Sequence, residues 1–379
     1  MGRTVREANK KIHSYYDYSL LFLILFLVCF GLVMIYSTSS YNAQRIYGNA
    51  THFLERQALF AGLGILVMLF VSKLDYHLLT VKLPVIRLRP VTILYILCIG
   101  LQIFVLFFGV EVNGSKRWIE MGPLGRFQPS ELSKIAVIVF TAYIVNIAPK
   151  RLDKFRGFLR VVFFIAPLVG LIAVENLSTA LIAGMVMVAV CFVASRKKGY
   201  FIAAGLGFIG AGALFIVFEG YRAERIKVWL NVETHEKGYQ ILQGLYAIAS
   251  GGVFGKGLGE SMQKLGFIPE SHNDMIFSVI CEELGLFGAF ALILLFILLV
   301  WRIFIIAINS TDLFGGLIAT GVLAHIATQV MINIAVVTNS IPSTGIPLPF
   351  ISYGGSAVMV ILFEMGIVLS VSNQIKGEK

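Results

Sequence analysis

Residues 18–36 read YSLLFLILFLVCFGLVMIY, an apolar run without a single charged side chain. Its length is close to the roughly 20 residues an α-helix needs to cross ~30 Å of hydrocarbon. Backbone amides in lipid must bond within the protein, so a spanning element is either a helix or a strand of a closed barrel. A barrel strand would alternate apolar and polar residues over about 10 positions, and this run does not alternate. It is also long for the apolar region of a signal peptide, and no small-x-small cleavage site follows it, so it is read as a retained helix.

The same texture recurs along the chain. Of 379 residues, 58% are hydrophobic and 14% charged, with a mean hydropathy of +0.84; a soluble domain carries about 25% charged residues. Apolar blocks predict about ten transmembrane helices, at 18–38, 57–73, 91–109, 130–148, 161–175, 178–195, 201–218, 275–300, 313–338 and 357–372. The expected fold is an all-α polytopic membrane protein, one domain over 1–379, with no internal repeat. Val161–Val174 is a short block and Pro167 would kink it, so the fifth and sixth segments could also form one re-entrant hairpin.

The net charge of +10 is concentrated in short loops: Arg3, Arg6, Lys10 and Lys11; Lys82, Arg87 and Arg89; Lys150, Arg151, Lys154, Arg156 and Arg160; Arg196, Lys197 and Lys198. Every second loop is rich, which is the positive-inside pattern and not a nucleic-acid surface. Both termini are then cytoplasmic, with 1–17 a cytoplasmic tail and 219–274 one large extracellular loop between helices 7 and 8. Long loops follow the charge rule poorly, so Arg222, Arg225, Lys227, Lys256 and Lys264 in that loop do not contradict it. Cys29, Cys98, Cys191 and Cys281 all fall in apolar blocks and read as small buried apolar residues.

Polar residues placed at a cost mark the candidate site. Ser130 and Glu131 suit a helix N-terminus, as cap and first-turn acid, whereas Lys134 sits deeper, at the wrong end of the dipole. Glu131 and Lys134, three apart, can pair on one face. His325, Gln329 and Asn333 form a polar stripe suited to interhelical hydrogen bonding. Asp274, at the start of the eighth helix, reads equally as a helix cap and as an ionised carboxylate placed to accept a proton. Glu282 and Glu283 follow two turns later and must face protein or water. The stretch 341–356, with three prolines and three glycines, cannot be a regular helix; its hydroxyls and backbone N–H groups suit a phosphate or sugar. The run Gly255-Lys256-Gly257-Leu258-Gly259 lacks the strand and the Ser or Thr of a P-loop and reads as a flexible loop.

Five stretches together carry a resemblance: Asn113–Ile119, Phe127–Lys134, Ala249–Gly259, Pro269–Glu283 and Pro342–Ser356. In this order they resemble the SEDS proteins (shape, elongation, division and sporulation), the family of FtsW, RodA and SpoVE, over essentially the whole chain. Tyr16–Leu21 and Gly31–Ser37 look more like the division or sporulation members than RodA. One departure stands at Val174-Glu175-Asn176-Leu177-Ser178-Thr179, where the family commonly has Asp in place of Asn176.

The resemblance implies a peptidoglycan glycosyltransferase in the bacterial cytoplasmic membrane. Its active site would lie on the extracytoplasmic face and polymerise lipid II, the undecaprenyl-diphosphate disaccharide-pentapeptide. The family's catalytic acidic residue falls on Asp274, and its cavity residues on Glu131 and Lys134. Within the matching stretches, Lys116, Arg117, Trp118, Glu270, His272, Ser343, Ser352 and Ser356 are expected to contact substrate. A divalent cation, Mg²⁺ or Mn²⁺, is implied, with Asp274 a possible ligand. A class B penicillin-binding protein and other division proteins are the implied partners. Two rival readings need no chemistry: a lipid II flippase, which would use Lys134 and the polar stripe, and a non-catalytic scaffold of the division machinery. The transport reading finds no inverted repeat to support it.

Overall fold

The computed structural model describes residues 13–377, apart from 15, 85–86, 113–114, 123–124, 204, 208–209 and 211–219. The helices are α1 (Tyr18–Tyr47), α2 (His52–Val71), α3 (Pro90–Phe108), α4 (Pro129–Ile147), α5 (Phe155–Glu175), α6 (Leu177–Ala194), α7 (Gly220–Leu230), α8 (Tyr239–Gly251), α9 (Ile276–Asn309), α10 (Leu313–Val337) and α11 (Gly355–Asn373). Among the described residues, nine are long and apolar enough to cross a membrane, all but α7 and α8. The predicted segment 201–218 falls largely outside the described residues; 201–203, 205–207 and 210 are helical.

The two ends of the described chain meet. Strand β1 (His13–Ser14) pairs antiparallel with β5 (Lys376–Gly377), so the chain crosses an even number of times. Ser195 donates from Oγ to the Leu152 carbonyl at the end that carries the termini, whereas Arg225 bonds the Ser343 carbonyl at the opposite end. Residues 195 and 225 therefore lie at opposite ends.

The fifth and sixth segments are two separate helices, not a re-entrant hairpin. At 1.5 Å per residue, the 21 residues of α5 and the 18 of α6 extend about 32 and 27 Å. Asn176 divides them, its side chain accepting from the Thr179 amide at 3.2 Å. Helices α4 and α11 are the most enclosed spans. Next to α11 lies α2, so close that a Cβ at Gly366 would stand 2.9 Å from the Met68 carbonyl. Such small-residue contacts are how helices gain packing in lipid, where hydrophobicity alone gives no drive to associate. Cys98, Cys191 and Cys281 are buried as expected, but Cys29 is exposed on the outer side of α1, because its helix has one face turned away from the bundle.

One expectation for the long loop is corrected. Helices α7 and α8 lie within the loop, and 255–259 is not a flexible loop: the Lys256 and Gly257 amides donate to the carbonyls of Glu282 and Glu283, and the Leu286 and Phe287 amides donate to those of Gly252 and Val253. The reason lies in α9, which breaks at Gly285 with φ 69° and ψ −169°. A break frees backbone groups that must be satisfied elsewhere, and residues 252–257 satisfy them. Thus Glu282 and Glu283 belong to a short segment before the spanning part of α9, not two turns into it.

Candidate active site at the end opposite the termini

Three pieces of chain converge around Asp274. Segment 268–275 leads into α9, the non-helical stretch 338–354 joins α10 to α11, and α7 and α8 of the long loop pack over both. Trp229 of α7 donates from Nε1 to the Asn339 carbonyl at 2.9 Å, and Arg225 donates from Nη1 to that of Ser343 at 3.0 Å. Helix α8 sits tightly on α9, with Gly244 against Met275 and Ser278.

Asp274 is half-buried, and the cap reading fails: Met275 occupies the N-cap of α9, and no side chain caps it. The Asp274 carboxylate is left for other partners. Oδ1 lies 3.5 Å from Gln240 Nε2 of α8. Oδ2 faces Gly345, where a Cβ would approach to 4.0 Å. Burial pushes the carboxyl up to about 6; its own backbone N–H opposes the rise, Glu270 adds to it and Arg225 opposes it. At neutral pH the group is thus an ionised base rather than a fully hydrated carboxylate.

The backbone that presents Asp274 is fixed. Its carbonyl accepts from Asn333 Nδ2 at 2.9 Å, and the same amide donates to the Ile346 carbonyl at 2.8 Å. Ser352 Oγ donates to the Asn273 carbonyl at 2.8 Å and accepts from the Leu348 amide. Glu270 is exposed, at φ 49°, and holds Asn273 Nδ2 at 2.7 Å. His272 is buried between Phe53 and Tyr353, with ring centroids 4.5 and 5.4 Å away. Burial lowers its pKa to about 4, partly countered by Glu270, so the ring is neutral at working pH.

The structure therefore brings Asp274, Glu270, His272, Ser343 and Ser352 together, although Ser352 and the backbone of Ser343 are occupied by structural bonds. The pair foreseen between Glu131 and Lys134 forms at 3.0 Å, and Lys134 also donates to Gln329 Oε1 at 3.1 Å. Gln329 bonds His325 Nε2, and His325 Nδ1 lies 2.9 Å from Glu364 Oε2. The polar stripe does form interhelical bonds, and through Gln329 and Asn333 it ties Lys134 to the Asp274 segment. Glu282 and Glu283 are anchors as well. Glu283 pairs with Lys264 and Ser37, while Glu282 holds Lys256, Ser250 and Ser261 and accepts from the Met262 and Gln263 amides.

Lys116, Arg117 and Trp118 lie on β3 (Ser115–Glu120), which pairs with β2 (Val110–Val112) and β4 (Arg126–Phe127). Asn113 and Gly114 of that motif lie outside the described residues. Ser115 Oγ donates to the Glu175 carbonyl at 3.0 Å, placing this sheet over the junction of α5 and α6. Ser356 Oγ donates to the Arg126 carbonyl at 3.3 Å, tying the sheet to α11. Sequence reasoning missed Arg225, Gln240 and Glu364. Arg225 was visible only as one basic residue of a long loop, and Gln240 and Glu364 carried no signal beyond a polar residue in a helix.

A divalent cation was expected from the resemblance. Among the described residues no cluster of three or more His, Cys, Asp or Glu side chains could hold a metal. Magnesium sites commonly use one or two carboxylates and take further oxygens from substrate phosphates. Glu270, an exposed carboxylate whose charge reaches Asp274, is the hard-oxygen donor at this site that would fit such an ion.

Residues 18–377 match the Cell cycle protein family of FtsW, RodA and SpoVE. The chain is 39% identical over 371 residues to stage V sporulation protein E of Bacillus subtilis, covering 94% of this chain and 96% of that protein. It is 36% identical over 384 residues to the "probable peptidoglycan glycosyltransferase FtsW" of Geobacter sulfurreducens, covering 100% and 99%. Its fold is similar to a chain of a peptidoglycan synthase complex, solved in a study of how polymerisation and crosslinking are coordinated (TM-score 0.78, 27% identity, 95% and 98% covered). It is also similar to the rod shape determining protein RodA of Thermus thermophilus (TM-score 0.70, 26% identity, 96% and 98% covered). The matched span, the relatives aligned along nearly their full length and the shared fold place this chain in the FtsW/RodA/SpoVE family.

Proposed function

We propose that this protein is a peptidoglycan glycosyltransferase that polymerises lipid II, with Asp274 as its general base. The observation that carries the proposal is one half-buried carboxylate, raised to about 6 and held by a backbone fixed at Asn333 and Ser352. It accepts the proton of the acceptor N-acetylglucosamine 4-hydroxyl. The freed oxygen forms its bond to the anomeric carbon of the donor N-acetylmuramic acid from the face opposite the diphosphate. The bond from that carbon to the diphosphate oxygen breaks, and the lipid diphosphate leaves with the electron pair, inverting the centre. General base catalysis of this kind contributes typically 10²–10⁴-fold.

The diphosphate concentrates negative charge, and Arg225 is a cation whose charge reaches Asp274. Lys116 and Arg117 complete the cations assigned to substrate, whereas Lys134 is buried and held by Glu131 and Gln329. A divalent cation, which Glu270 would help to hold, would supply Lewis-acid neutralisation of the leaving group. The basic loops share the end that carries the termini, so the positive-inside rule puts the Asp274 end on the extracytoplasmic face of the bacterial cytoplasmic membrane, where lipid-linked substrate is presented. The partner that crosslinks the product would be a class B penicillin-binding protein, a reading supported by the peptidoglycan synthase complex with which the fold is shared.

The transport reading draws on the buried polar chain from Glu131 to Glu364. Each charged group of that chain has a partner within the protein, so it serves as a closed network and needs no water path. The test is polymerisation of lipid II by purified protein. Asp274→Asn should bind lipid II, yet form no glycan. Polymerisation by that variant at the parental rate would remove Asp274 from the mechanism.

A further inference from the structure

At the end opposite Asp274, a cavity of about 260 Å³ opens between α3, α4 and α5. Its wall is mostly apolar, including Phe140, Tyr143, Ile144 and Phe164, and its lining includes Arg151 and Arg160. No acidic residue lines it. A third arginine stands beside it: Arg89 stacks over the Tyr143 ring at 5.0 Å and donates to the Tyr143 hydroxyl.

Arg151 follows the C-terminus of α4, where the helix dipole welcomes a cation. Arg160 lies five residues past the start of α5, whose N-terminus begins Lys154-Phe155-Arg156. The first turn of α5 has no acidic residue and its N-cap makes no side-chain hydrogen bond. The same is true of α3, whose N-cap is Arg89 itself. Two uncapped helix N-termini, each reinforced by arginine, thus flank one cavity, to which they contribute Thr92 and Gly157. A helix N-terminus attracts anions, and here Arg89, the N-cap of α3, sits where its own helix disfavours a cation. Among the described residues no carboxylate is paired with Arg89, Arg151 or Arg160.

We propose that this cavity binds an anionic phospholipid of the inner leaflet, its phosphate held by Arg151 and Arg160 and the start of one acyl chain lying against Phe140, Ile144 and Phe164. Basic pockets between spanning helices on the cytoplasmic side are suited to acidic headgroups, and the apolar wall selects a lipid over a free anion. The site is distinct from the Asp274 end and does not depend on the glycosyltransferase reading.

The test is native mass spectrometry of the full chain in nonionic detergent, titrated with phosphatidylglycerol or phosphatidylcholine. Phosphatidylglycerol should bind preferentially. Arg151→Gln with Arg160→Gln should weaken it about 30-fold, at roughly one arginine's surface attraction each. Ile144→Trp, which fills the apolar wall but keeps every charge, should weaken it too. Arg196→Gln with Lys197→Gln removes the same charge from the same end and should leave binding unchanged. Thermal unfolding of each variant checks that it is folded. Equal binding of the two lipids, equal loss in the Arg196 and Lys197 control, parental binding by the Arg151 and Arg160 variant, or displacement by inorganic phosphate would each overturn the proposal.

Discussion

A carboxylate that accepts a proton near neutral pH works best with a pKa close to that pH, and burial, with a smaller push from Glu270, lifts Asp274 to about 6. Two measurements follow. The rate of lipid II polymerisation should fall as pH drops through about 6, since the base is then protonated; a flat profile from pH 8 to 5 would exclude Asp274 as the titrating group. Stability carries the opposite sign. The folded pKa exceeds the usual 3.8, so the ionised group costs stability above about pH 6 and ceases to cost below about 4. Asp274→Asn should therefore melt higher than the parent at pH 8, with the gap closing as pH falls between 6 and 4. Lys264 and Glu283 show the other side of burial. They pair at 2.7 Å, nearly enclosed, and breaking such a pair strands a charge at a cost of about 3–5 kcal/mol. Lys264→Met should lose that much in equilibrium unfolding, and Lys264→Met with Glu283→Met should regain most of it.

Within a single element, α9 shows how a break is made tolerable. A Cβ at Gly255 would collide with the Glu283 carbonyl, and Gly255 itself sits at φ +80°. Gly259 has a similar φ of +88° but open space around it. Strained conformations cost of order 1–3 kcal/mol each. Gly255→Ala should therefore destabilise by about 2–4 kcal/mol, a collision added to the strain, and Gly259→Ala by only the strain. Thermal unfolding in detergent compares them, and equal losses would show that the 252–257 ladder is not held against the break. The same comparison shows what sequence could convey. Glycines at 255, 257 and 259 announced unusual backbone, but whether it was mobile or stitched depended on Gly285, some 30 residues away.

On the scale of the whole molecule, the pairing of β1 with β5 puts both termini at one end. Fluorescent reporters that mature only in the cytoplasm should glow when fused to either terminus, and loss of signal at one alone would contradict an even number of crossings. Apolar runs such as 18–36 and the basic loops determined the helical membrane fold and its expected sidedness by themselves, because hydrocarbon thickness and backbone hydrogen bonding leave few alternatives. The motifs also singled out Asp274, Glu131 and Lys134, since charge near lipid is costly enough to be conspicuous. Only the tertiary structure decided that Asp274 is not a cap, that Glu282 and Glu283 are anchors, and that Arg225, Gln240 and Asn333 gather around Asp274. A side chain's partner across the bundle depends on how helices rotate and where they break, and neither is encoded in local spacing.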